Sequence, residues 1–128
     1  MKINKESEYA IRIVKYLSEI PENKLIGSKE ISEKEEISIN MTTKILRFLV
    51  NYGIIESYRG TLGGYRLKRD KVSYYEIIKA IQGELYILND FKSLEQKENE
   101  VKKNLWKIQK ICKNKLYSLE IKKNFFDS

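Results

Sequence analysis

The sequence predicts a mainly α-helical fold with a small two-stranded β wing and a long C-terminal helix. Three observations predict it. Apolar residues recur at helical spacing in successive segments before residue 52. Two short apolar, β-prone runs, residues 54–58 and 65–67, then flank a tip containing Gly60, Gly63 and Gly64, the pattern of a tight hairpin. A stripe of apolar residues at steps of three or four occupies the last third of the chain.

In residues 6–20, Tyr9, Ala10, Ile13, Val14, Leu17 and Ile20 share one face of a first helix, with Asn4 or Ser7 as its cap and Pro21 as its end. Gly27-Ser28 reads as a loop running into a short second helix over about 29–35, with Ile31 inward and glutamates outward. Ser38 is the expected N-cap of a third helix over 39–51, which stops before Gly53. At about 100° per residue, Asn40, Thr43, Lys44, Arg47 and Asn51 fall within about a third of its circumference. Thr42, Ile45, Leu46 and Leu49 lie opposite, so one face carries hydrogen-bonding groups and cations while the other is core. A second helix, a break, and this helix have the shape of a helix-turn-helix, and the hairpin adds the wing.

Ser73 and Glu76 form a capping-box pattern for a fourth helix ending near Gly83, with Val72 placed to staple onto Ile77. The Leu85-Tyr86-Ile87-Leu88 run calls for burial, and Ser93 with Gln96 suggests another capping box. A long helix over about 94–122 then aligns Val101, Leu105, Ile108, Cys112, Leu116 and Leu119, with lysines around the rest. Burying about six such side chains is worth on the order of 10 kcal/mol gross. The small winged domain offers little area to cover them, so the same helix of a second copy is the expected partner, in a two-fold dimer. Trp106 is expected to anchor that interface, and Cys112 to serve as a small buried hydrophobe. The organisation is therefore residues 1–83, the winged domain; 84–92, a connector; and 93–128, the long dimerisation helix and tail.

Composition narrows the chemistry. Among 128 residues there is one cysteine and no histidine, so an intrachain disulfide is ruled out, and neither a soft-metal site nor a histidine-dependent triad has its parts. No enzyme activity, metal or cofactor is expected. No apolar run approaches a membrane span and no signal-peptide core opens the chain, which points to the cytoplasm. The net charge of +7 is concentrated: residues 38–71 hold seven cations against two anions, whereas residues 19–36 hold six glutamates against three lysines. A basic block beside an acidic one suggests a directed polyanion-binding face. Arg59 at the shoulder of the wing, with Arg66, Lys68, Arg69 and Lys71 along its return, suits a phosphate backbone or a narrow minor groove.

The chain resembles the Rrf-type family of bacterial winged-helix regulators, which includes the iron–sulfur cluster assembly repressor and a cysteine-metabolism repressor. The matching residues are Glu8-Tyr9-Ala10, Ile31-Ser32, Ile37-Ser38, Leu49, Gly53-Ile54-Ile55-Glu56-Ser57, Arg59-Gly60, Gly63-Gly64-Tyr65-Arg66-Leu67, Ile77-Ile78, Ala80-Ile81 and Gly83. The resemblance implies a homodimeric, sequence-specific transcriptional regulator, most often a repressor, on partly palindromic promoter DNA. The third helix would enter the major groove and the wing the minor groove. Asn40, Met41 and Thr43 would then face bases, Ser28, Lys29, Ser38, Lys44 and Arg47 would meet phosphates, and Arg59 would probe the minor groove. Gly60, Gly63, Gly64, Tyr65 and Arg66 complete the wing, the two neighbouring glycines acting through backbone conformation. Cluster-binding members place three cysteines between the fourth helix and the long one; residues 84–103 contain none, so no cluster of that type is expected. The effector, small molecule or protein, is left unidentified. The alternative is a winged-helix protein-interaction adaptor with weak or no specific DNA binding.

Overall fold

A computed structural model describes residues 2–86 and 99–124. Helix α1 spans Lys5–Ser18 beneath Asn4, whose side chain accepts from the Ser7 N–H at 2.8 Å. It stops two residues short of the expected end. The Glu19 and Ile20 N–H groups turn back onto the Tyr16 and Leu17 carbonyls, tightening the last turn before Pro21.

Helix α2, Ser28–Glu35, starts from Gly27 without a side-chain cap, so Ser28 is its first residue. It ends at Glu36 in the left-handed region (φ 57°), and the Ile37 N–H returns to the Ser32 carbonyl. Helix α3, Ile39–Asn51, begins where its cap predicts: the Ser38 hydroxyl accepts from Met41 N–H. Its Thr42, Ile45, Leu46 and Leu49 are fully buried against Ile13, Val14 and Leu17 of α1 and Ile31 of α2 in one core. The Thr42 hydroxyl is buried with no hydrogen-bond partner among the described residues; only its methyl suits that position.

Strands β1 (Ile55–Tyr58) and β2 (Gly64–Leu67) form the antiparallel wing, in register Glu56 to Arg66 and Tyr58 to Gly64. Ile55 and Leu67 close its inner end onto the core. The loop before α2 joins the wing as well. Ile26 and Tyr65 exchange both backbone bonds, at 3.0 and 2.8 Å.

Strand β3 (Lys71–Ser73) leads into α4, Tyr74–Gln82. The capping box is complete: Glu76 N–H donates to the Ser73 hydroxyl and Ser73 N–H to the Glu76 carboxylate. Gly83 ends the helix, and Leu85 beyond it is buried, as that run required. Ile87, Leu88 and the Ser93–Gln96 box lie outside the described residues.

The long helix differs from expectation at both ends. Helix α5 runs Glu100–Ser118, and Asn99, in extended conformation, caps it by accepting from Lys102 N–H. At its other end the backbone extends at Leu119, and Glu120–Lys122 becomes strand β4, antiparallel to β3 with Ile121 opposite Val72. Ile121 enters the same core as α1 and α3. The strand also supplies partners that a continued helix could not. Leu119 carbonyl accepts from Tyr74 N–H at 2.8 Å, and Asn124 N–H donates to the Ser18 carbonyl left open at the end of α1. Thus 120–122, expected as the last turn of the helix, form a strand whose Ile121 joins the core of the winged unit.

This closure predicts a sharp contrast between neighbours. Ile121→Ala should cost about 2–4 kcal/mol in urea unfolding, whereas Lys122→Ala, exposed on the same strand, should change stability by less than about 0.5 kcal/mol.

Candidate nucleic-acid interface

The exposed face of α3 carries the residues that the helical wheel places there. Asn40, Thr43, Arg47 and Asn51 are exposed, and Lys44 is half-buried. They are not equally available. The Ser38 hydroxyl is engaged as the cap, and the Thr43 hydroxyl donates back to the Asn40 carbonyl at 3.1 Å. Met41 is half-buried and packs on the core. Lys44 reaches Glu6 of α1, 3.4 Å away. Arg47 lies over the Phe48 ring at 5.8 Å and is in no ion pair among the described residues. Ser28 is half-buried at the first turn of α2, and Lys29 beside it is exposed.

Helix α2 is held against α1 by polar contacts that use part of the acidic run. Arg12 donates to the Glu35 carboxylate and, at 2.6 Å, to the Glu35 carbonyl at the end of the helix. Tyr16 hydroxyl donates to Glu30. These glutamates position the helix pair and leave the α3 face basic.

The wing depends on two close backbone approaches at its glycines. A Cβ on Gly63 would stand 2.1 Å from the Tyr58 carbonyl oxygen, and one on Gly64 would stand 2.8 Å from the Ile26 carbonyl oxygen, at a φ of +151°. Both places exclude any side chain. Gly63 N–H donates to the Gly60 carbonyl at 3.0 Å and closes the tip. Tyr65 is half-buried, its backbone committed to Ile26.

Two wing arginines are placed very differently. Arg66 lies across from Glu56, 3.6 Å from its carboxylate, stacks over Tyr58 at 5.2 Å, and donates to the Tyr58 hydroxyl. Tyr58 hydroxyl donates in turn to Glu56 at 2.6 Å. Arg66 therefore braces one face of the ribbon. Arg59, at the base of the tip, is exposed and in no ion pair or hydrogen bond among the described residues.

The tip also presents residues that the sequence reading did not single out. Leu62 is 90% exposed, and Ile39, first in α3, is 45% exposed beside the polar stripe. Their positions, one inside the glycine turn and one following the cap, were the available signals.

The Tyr58 hydrogen bond, with help from Arg66, holds the Glu56 carboxyl below its ordinary range. A lowered carboxyl contributes stability that is present above its unfolded pKa and is lost as pH falls through the folded value. The wing should therefore loosen on acidification below about pH 4, and Glu56→Gln should reduce the acid dependence of unfolding; pH-dependent thermal melts of both proteins measure this.

A capped helix with a polar outer face, followed by a glycine-tipped ribbon, defines a winged helix-turn-helix protein. The chain belongs to the Rrf2 family: that family's sequence model, described as iron-dependent transcriptional regulator, matches residues 3–124. It is similar to the HTH-type transcriptional regulator NsrR of Shouchella clausii, 29% identical over 93 residues, covering 71% of this chain and 62% of that protein. It is also similar to NsrR of Bacillus subtilis, 27% identical over 114 residues, or 88% of this chain and 73% of the relative. Across the first curated relatives the match spans only 54–62% of their length. Among solved structures, CymR (YrzC), the global cysteine regulator of B. subtilis, superposes with a TM-score of 0.77 at 25% identity, over 94% of this chain and 93% of that one. T. potens IscR gives 0.72 at 25% identity, over 94% and 83%.

The family description implies iron, and this chain's donors do not fit it. One cysteine cannot supply a thiolate set, and among the described residues no three histidine, cysteine, aspartate or glutamate side chains come together as a metal site. No helix of the described residues is long and apolar enough to cross a membrane.

Proposed function

We propose that this chain is a homodimeric, site-specific DNA-binding transcriptional regulator, working as a cytoplasmic repressor on a partly palindromic promoter site. Helix α3 reads the major groove and the wing enters the neighbouring minor groove. The observation that carries this reading is Arg59, an exposed cation in no ion pair among the described residues, on a glycine-tipped ribbon directly after a capped helix with a polar outer face. Asn40, Thr43 and Arg47 are its partners on α3, and Lys44 joins them by exchanging Glu6 for phosphate. The Rrf2 family match and the names of the curated relatives support the same class of function.

The experiment is selection of bound duplexes from a random pool with the purified full chain, followed by affinity measurements across salt. A base or groove contact is worth about 1–3 kcal/mol, so Arg59→Ala should weaken binding to the selected duplex more than tenfold while leaving the thermal midpoint unchanged. Log affinity should fall linearly with log salt, with a slope set by the phosphates neutralised. Unaltered affinity of Arg59→Ala would remove the wing from the interface.

Support for the dimer comes from which face of α5 the chain itself covers. Gln109 is the buried residue of this helix, and Tyr117 stacks on Tyr75 with ring centres 4.3 Å apart, so a largely polar face meets α4 and its connector. The apolar stripe is left outward, with Val101 68% and Ile108 48% exposed. Leu105, Cys112 and Leu116 on that stripe are half-buried, and Leu119 is exposed beyond the helix end. Trp106 lies off the stripe, over the connector side. Ile108→Glu should convert a dimer to a monomer in sedimentation and reduce affinity for a two-half-site duplex far more than for a single half-site. The same outward stripe favours the adaptor as the second reading; a monomeric chain with no duplex preference would select it.

A further inference from the structure

A cavity of about 300 Å³ lies between the segment after α4 and the side of α5, with Tyr86, Trp106, Lys110 and Lys113 among its lining. Its size is at the lower end of small-molecule sites. Trp106 and Tyr86 give it aromatic walls.

Its charges are unequal. Glu84, the acid of the lining, is already committed: Lys79 stands 3.0 Å from it, Lys113 stands 3.6 Å from it, and the Tyr75 hydroxyl donates to it. Burial alone would raise its pKa, but the bonds from Tyr75 and Lys79 and the charge of Lys113 more than offset that, and the carboxyl sits below its ordinary value. Lys110 is exposed and in no ion pair among the described residues. An aromatic wall beside one uncommitted ammonium and one shared ammonium suits a planar ring bearing a single negative charge. A cation would meet two lysines and an acid already engaged by Tyr75, Lys79 and Lys113. A neutral ring would leave the cations without use.

We propose that this cavity binds a small aromatic carboxylate, its ring against Trp106 and its charge between Lys110 and Lys113. The site is regulatory by position. Lys113 also lies 5.0 Å over the Tyr75 ring, so it ties α5 both to α4 and to the segment that follows it. A ligand carboxylate competes with Glu84 for Lys113 and loosens that tie, changing how the long helix sits on the winged unit.

The site stands or falls independently of DNA recognition. Trp106 is the sole tryptophan, so its emission in the full chain reports the cavity directly. Benzoate is the probe and benzamide its neutral counterpart. Benzoate should change Trp106 emission saturably, with a dissociation constant on the order of millimolar for a ligand of that size. Benzamide should bind at least tenfold more weakly. Lys110→Gln and Lys113→Gln should each weaken benzoate severalfold without changing the response to benzamide, whereas Lys103→Gln, elsewhere on α5, should have no effect. Lys110→Gln carries the test if loss of the Glu84 partner disturbs folding of the other variant. A response that does not saturate, equal affinity for the two probes, or benzoate affinity unchanged in Lys110→Gln would overturn the proposal. A chain that binds benzoate but no duplex would retain this site and lose the function proposed above, and the reverse result would do the opposite.

Discussion

The close approach of two backbones, Ile26 to Tyr65, is the contact on which the rest of the molecule's geometry depends. It joins the loop between the first two helices to the return strand of the wing by a reciprocal pair of hydrogen bonds. It is available only because Gly64 has no side chain to place against the Ile26 carbonyl. A two-stranded ribbon alone is marginal in water. Sewn to Ile26 on one side and closed onto the core by Ile55 and Leu67, it becomes a fixed extension of the helical body. The orientation of Arg59 relative to α3 is therefore a property of the core, not of a loose hairpin.

Ion pairing then sorts the basic block. Arg66, Arg69 and Lys71 pair with Glu56, Glu76 and Glu120, and Lys44 with Glu6. Partly exposed pairs of this kind add little stability. Arg47, Arg59 and Lys68 are exposed and in no ion pair among the described residues.

Helix α5 inverts the usual amphipathic arrangement. Its contact with the chain's own body runs through Gln109, Lys113 and Tyr117, while Val101, Ile108 and Ile111 face away and Leu105, Cys112 and Leu116 are half-buried. Its C-terminal end is anchored differently, by β4 and Ile121 in the core.

Much of this was legible from local chemistry. The bounds of α3, the Ser38 cap, the Ser73–Glu76 box, the stop at Gly83 and the hairpin at 54–67 depend on residues within a few positions of one another, where caps, glycines and periodicity act. The polar stripe of α3 and the cations of the wing were readable for the same reason. Strand β4 was not, because Glu120–Lys122 continues an acceptable helical pattern and becomes a strand only when β3 offers an unpaired edge beside it. Nor were the Ile26–Tyr65 bridge, the partners that occupy Lys44 and Arg66, or the inward face of α5, all of which depend on segments remote along the chain. The sequence by itself determined which helices and which ribbon form, since those choices are settled by neighbouring residues. The tertiary structure alone decided which of the described cations are paired and where residues 120–124 return, because both depend on what folding brings alongside.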